Sequence, residues 1–274
     1  PDAMAALRRS VGRSPEGESE LFAVALAADR ADNRPLALRA RELLVEVLPE
    51  RADYRPELSA LQADVRGAAV AVATCRGGFA GLDGEALRRL PVGTAPHEAP
   101  DALPYADLRH ALGWALARDG QPEAALLSYE EALDVYAALG RPRELADTMN
   151  NAGVVLVEAG RPVIAVPMLR KAWRLRSEQG RTAKAATSRH NLARALADSR
   201  RTGEAIEAFE AAARDYEEAG DGLAATESLY ETLEQHADAG DREALERRAE
   251  ALGARIAALR TTPGQDPLRL DLLG

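Results

Sequence analysis

Cysteine is nearly absent from this chain. Cys75 stands alone among 274 residues, which excludes a disulfide framework and any zinc site built on several thiolates. It closely follows the apolar run from Ala68 to Ala73, so it is expected to be a buried, inert thiol rather than a nucleophile. Aromatic residues are also scarce, at 4% of the chain. Large rings therefore cannot fill the interior, and Ala and Leu must do so, which favours closely spaced helices over a β-sandwich. Lysine occurs only as Lys171 and Lys184, and acidic residues outnumber basic ones 44 to 35 for a formal charge of −9. That balance argues against a large attraction to phosphate backbones, so no nucleic-acid partner is expected. No apolar stretch approaches the ~20 residues of a membrane helix, and no signal peptide is visible. A cytoplasmic protein without a membrane partner is the expectation. The first residue is Pro1 rather than an initiator Met, which suggests a piece of something longer.

What the chain has in abundance is internal order. Glycines stand at Gly120, Gly140, Gly160, Gly180, Gly220 and Gly240, with Arg200 at the one position of this 20-residue grid that lacks glycine. Each follows an apolar-periodic stretch, where a helix C-terminus favours glycine in the left-handed region. Caps at this spacing mean helix, turn, helix, turn, and doubling the spacing yields a 40-residue unit. Leu112-Gly113, Ala152-Gly153 and Leu192-Ala193 are equivalent in it. So are Ala125, Ala165 and Ala205; Tyr129, Leu169 and Phe209; and Ala132, Ala172 and Ala212. Small residues at fixed points let two helices approach closely, and the large residue between them fills the gap.

This pattern resembles the tetratricopeptide repeat (TPR) family. The likeness is specific over residues 105–220 and weaker over 225–260. The 40-residue length, with Met149-Asn150-Asn151-Ala152-Gly153 and His190-Asn191-Leu192-Ala193, is similar to the long-repeat branch of kinesin light chains and of sensor portions of bacterial regulators. The resemblance implies an all-α fold, a right-handed α-α superhelix of antiparallel helix pairs. The solenoid is expected over 105–260. Ahead of it lie an N-terminal helical segment, 1–90, with a degenerate repeat at about 22–49, and a proline-rich linker or packed loop, 91–104. A tail, 261–274, follows. Within the N-terminal segment, helices are expected over about 56–75 and 84–90. Pro167, inside a second helix, removes one backbone hydrogen bond.

Motifs of catalysis are missing. The glycine-rich run from Gly77 to Gly84 lacks the ending of a phosphate loop and reads as an inter-helix turn. His97, His110, His190 and His236 show no metal-ligand spacing. The carboxylate pairs Glu130-Glu131 and Glu217-Glu218 read as solvated faces. No enzyme activity, cofactor or metal is expected, and no catalytic residue is assigned.

A repeat of this kind usually binds through its concave surface, and in the resembling family the first helix of each pair lines it. Placing that template here points inward one row of His110, Asn150, His190 and Tyr230, and a second of Asn151 and Asn191 with Ala111 and Glu231. Trp114, Val154, Arg194 and Glu234 lie one turn on, and Asp107, Asp147, Thr187 and Glu227 one turn back. Two readings of the asparagines stand open. Their amides could hold an extended peptide backbone, as the resemblance implies, or they could bridge neighbouring repeats. The inward acids Asp107, Asp147, Glu158, Asp198, Glu227, Glu234 and Asp238 are opposed only by Arg118 and Arg194 in this placement, so a basic protein or peptide partner is expected. The alternative is a ligand-sensing module of a larger bacterial regulator.

Overall fold

The computed structural model describes residues 38, 40–42, 68–79, 82–95 and 98–260. The degenerate repeat at 22–49, most of the helix expected over 56–75, His97 and the tail 261–274 lie outside that description. The chain divides into two compact units, Pro1–Arg141 and Pro142–Gly274.

In the first unit, α1 (Ala68–Gly77) packs against α3 (Ala102–Arg118), which pairs with α4 (Pro122–Ala138), and the short α2 (Gly84–Arg88) touches both α3 and α4. Cys75 is fully buried in α1. Helix α3 begins three residues earlier than the proline spacing suggests. Pro104 lies in its first turn, where a missing N–H removes no intrahelical bond. The second unit runs α5 (Pro142–Glu158), α6 (Pro162–Glu178), α7 (Thr182–Asp198), α8 (Thr202–Glu218), α9 (Gly222–Asp238) and α10 (Arg242–Arg260). Each packs on the next, and α5 also touches α7. Helix α6 continues through Pro167, which is exposed.

The repeat logic holds side chain by side chain. Ala125, Ala132, Ala165, Ala172, Ala205 and Ala212 are completely buried, and Tyr129, Leu169 and Phe209 fill the space beside them. A Cβ added at Gly113 would lie 2.7 Å from the Tyr129 ring, and one at Gly153 would lie 2.5 Å from Leu169. These glycines therefore set how closely the paired helices meet. The grid glycines all have positive φ, and Arg200, in the place of the absent one, shares the conformation at φ 57°. There the Arg201 N–H donates to the Leu196 carbonyl and the Arg200 N–H to Ala197, the paired bonds of a Schellman cap. Among the described residues no helix is long and apolar enough to cross a membrane.

Candidate functional site

In the second unit the expected inward residues come to one partly exposed stripe on each first helix. On α7 these are Thr187, His190, Asn191 and Arg194, and on α9 Glu227, Tyr230, Glu231 and Glu234. Their spacing of three or four residues keeps them on one helical face.

The stripe on α5 is tied into the protein. Asn150 is only 6% exposed. Its Oδ1 accepts from Ser188 Oγ at 3.0 Å and from Asn191 Nδ2 at 3.1 Å, while its Nδ2 donates to Asn151 Oδ1 at 3.4 Å. The bridge between neighbouring repeats is thus formed by Asn150. The same offset of 38 residues recurs where His190 Nδ1 meets Ser228 Oγ at 2.9 Å. The His190 ring also packs edge-on against Phe209 at 5.3 Å. Burial, helped by the nearby Arg194 charge, pushes His190 down to about 4.

Asp147 carries the largest departure from the expected charge balance. Arg176 donates to its Oδ1 from Nε at 3.0 Å and Nη2 at 2.8 Å, and Arg181 Nη2 reaches both carboxylate oxygens at 2.9 and 2.8 Å. The expectation that only Arg118 and Arg194 oppose the inward acids is corrected, because Arg176 from α6 and Arg181 before α7 neutralise Asp147. Burial alone would raise this carboxyl, but hydrogen bonds from Arg181 and Arg176 outweigh it and hold the group below its ordinary value. Arg176, 3% exposed, also donates from Nη1 to Ser188 Oγ at 2.7 Å and to the Lys184 carbonyl at 3.0 Å. A continuous polar chain therefore runs Asp147, Arg176, Ser188, Asn150, Asn191.

On α9, Glu231 sits among charges of its own sign. Glu231 is pushed above its ordinary value, by burial first and then by Glu234, with Asp198 and Glu227 acting in the same sense and Arg194 against them.

In the first unit Asp107 accepts from the Tyr136 hydroxyl at 2.6 Å. The His110 ring stands edge-on to Tyr129 at 5.7 Å, and the Arg118 guanidinium lies 4.8 Å from the Trp114 ring centroid. The reading of Glu131 as a solvated carboxylate is corrected. It is buried at 7% exposure, accepts from the Tyr105 hydroxyl, and pairs with Arg109 Nε at 2.8 Å. Its neighbour Glu130 is exposed, as are Glu217 and Glu218.

Sequence reasoning missed Arg176, Ser188 and Ser228. A signal for the last two was present: Thr148, Ser188 and Ser228 occupy one position of the 40-residue unit. Arg176 had none, because its counterparts there are Tyr136 and Tyr216.

The model of the soluble NSF attachment protein (SNAP) family matches residues 115–246. No curated protein matches the sequence. Among solved structures, BtubC (BKLC) from P. vanneervenii is similar at 17% identity and TM-score 0.64, covering 90% of this chain and 94% of its own. A kinesin light chain with TPR-like repeats from Podosopora anserina aligns at 19% identity and TM-score 0.63, over 78% of this chain and 99% of its own. YrrB, described as a TPR protein with an unusual peptide-binding site, aligns at 17% identity and TM-score 0.52, over 86% and 98%. The fold is that of the TPR-like helical-repeat solenoids.

Proposed function

We propose that this chain is a non-catalytic scaffold that holds a protein or peptide against its first helices, and that its ligand is basic. The α9 acids carry the reading. Glu231 is held partly buried beside Glu234, Glu227 and Asp198, whose charges work against its own ionisation while that of Arg194 favours it. Carboxylates that disfavour one another's ionisation cost the free protein stability, and a Lys or Arg side chain entering among them would relieve that cost. Tyr230 on the same face adds a flat surface for a cation or an apolar group. The peptide-binding description of YrrB supports the same class of partner. The contact face follows Thr187, His190, Asn191 and Arg194 on α7 and Glu227, Tyr230 and Glu234 on α9. Asn151 and Asp147 lie at its α5 side, and Asp107, His110 and Trp114 form the corresponding face on α3.

Fluorescence anisotropy with two labelled peptide pools, one Lys/Arg-rich and one Asp/Glu-rich, tests this at low and high salt. The cationic pool should bind, weaken as salt rises, and lose about tenfold in affinity to Glu231→Gln with Glu234→Gln. Equal binding of the acidic pool, or indifference to salt, rules out the basic ligand. Cationic binding that survives the double variant moves the face elsewhere.

A further inference from the structure

A cavity of about 550 Å³ opens in the first unit, lined by α2, α3 and α4. That volume lies within the ~300–1,000 Å³ of small-molecule sites. Its floor is a closed polar triangle. The Tyr105 hydroxyl donates to Glu131, Arg109 Nε pairs with Glu131 at 2.8 Å, and the same Nε lies 3.0 Å from the Tyr105 hydroxyl. The Arg109 guanidinium is further held 4.3 Å from the Phe79 ring centroid. Gly84 brings the start of α2 against this floor, since a Cβ there would stand 2.7 Å from the Tyr105 hydroxyl. The glycine that reads as mere turn in the sequence is what lets the backbone line the cavity.

The mouth is looser and carries both signs. Arg88 meets Asp134 at 3.4 Å and Glu131 at only 3.8 Å. Arg89 pairs with Glu85 at 2.6 Å, with both side chains about three-quarters exposed. Such an exposed pair is worth little and gives way readily to a competing ion. Arg88 and Arg89 can therefore take a carboxylate, for which the guanidinium fork is suited. Asp134 and Glu85 can take an ammonium. An anion alone would leave the mouth carboxylates facing it, and a cation alone would leave the guanidiniums. Three guanidiniums against three carboxylates in the lining favour a ligand of no net charge that carries both groups.

We propose that this cavity binds a free α-amino acid, its carboxylate at Arg88 and Arg89 and its ammonium at Asp134 and Glu85. The site is separate from the peptide-binding face and stands or falls independently of it.

Thermal-shift and calorimetric titration of the full chain tests this, using each standard L-amino acid beside its N-acetyl and carboxamide derivatives. At least one amino acid should raise the melting temperature with dose and release or absorb heat, while both single-charge derivatives bind tenfold or more weakly. Arg88→Gln and Asp134→Asn should each lower its affinity tenfold or more. If Arg88→Gln fails to fold, Asp134→Asn, at a half-exposed carboxylate, carries the test. The proposal is overturned if no amino acid shifts melting at millimolar concentration. Equal binding of either derivative, or affinity unchanged in the variants, overturns it as well.

Discussion

Arg176 Nη2 stands 2.8 Å from Asp147 Oδ1, across the same 29-residue separation at which the Tyr136 hydroxyl reaches Asp107. The second helix of a pair thus clips back to the first at a fixed register, with a phenol in one repeat and a guanidinium in the other. The guanidinium does more, because its remaining donors reach Ser188 and the Lys184 carbonyl on α7.

Removing either partner should therefore be unequal. Arg176→Met leaves Asp147 still held by Arg181, and we expect a loss of about 2 kcal/mol in urea unfolding. Asp147→Asn leaves a buried guanidinium beside a second one without its counter-charge, and should cost more, about 3–4 kcal/mol. The Asp147 carboxyl is depressed in the folded protein, so its contribution is present above the ordinary carboxylate range near pH 4 and is lost as pH falls through the lower folded value. In Asp147→Asn that acid-side decline should be shallower. Equal losses for the two variants would contradict this account.

His190 gives stability the same direction of pH dependence at higher pH. Its folded value of about 4 lies below the ordinary 6.5, so the unfolded chain binds the proton first. The buried neutral ring is fully tolerated above pH 6.5, and stability falls between there and pH 4, by on the order of 3 kcal/mol. Unfolding of His190→Gln measured across this window should show a flatter profile than wild type.

Arg200 adopts a left-handed conformation at φ 57° where six grid positions use glycine. Arg200→Gly should raise stability by about 1 kcal/mol, because the cap no longer forces a side chain into that region. Differential scanning calorimetry reads this as a higher Tm. An unchanged or lower Tm would mean that unfolded-state entropy outweighs the relieved strain.

The two asparagines should separate in their effects. Asn150→Ala orphans groups in a buried bridge and should cost about 1–2 kcal/mol in denaturant unfolding. Asn191→Ala, at a partly exposed residue, should cost less while weakening binding of the cationic peptide pool. A binding loss in Asn150→Ala without a stability loss would reverse the two roles.

The sequence by itself determined the helices, their caps and their pairing. Those features depend on local rules: glycine after each helix, Pro122, Pro142 and Pro162 at helix starts, and Ala125, Tyr129 and Ala132 at contact spacing. A 40-residue period also placed Thr187, His190, Arg194 and Glu234 on common faces, because side-chain direction in a helix follows from register alone. Only the tertiary structure decided what those side chains do. Whether Asn150 meets a ligand or Ser188, and whether Asp147 adds to an acidic surface or is cancelled by Arg176 and Arg181, depends on partners 29 to 41 residues away. Glu131 makes the same point. It differs from exposed Glu130 by one position, and that rotation of about 100° around α4 turns it from solvent to the buried Tyr105 hydroxyl.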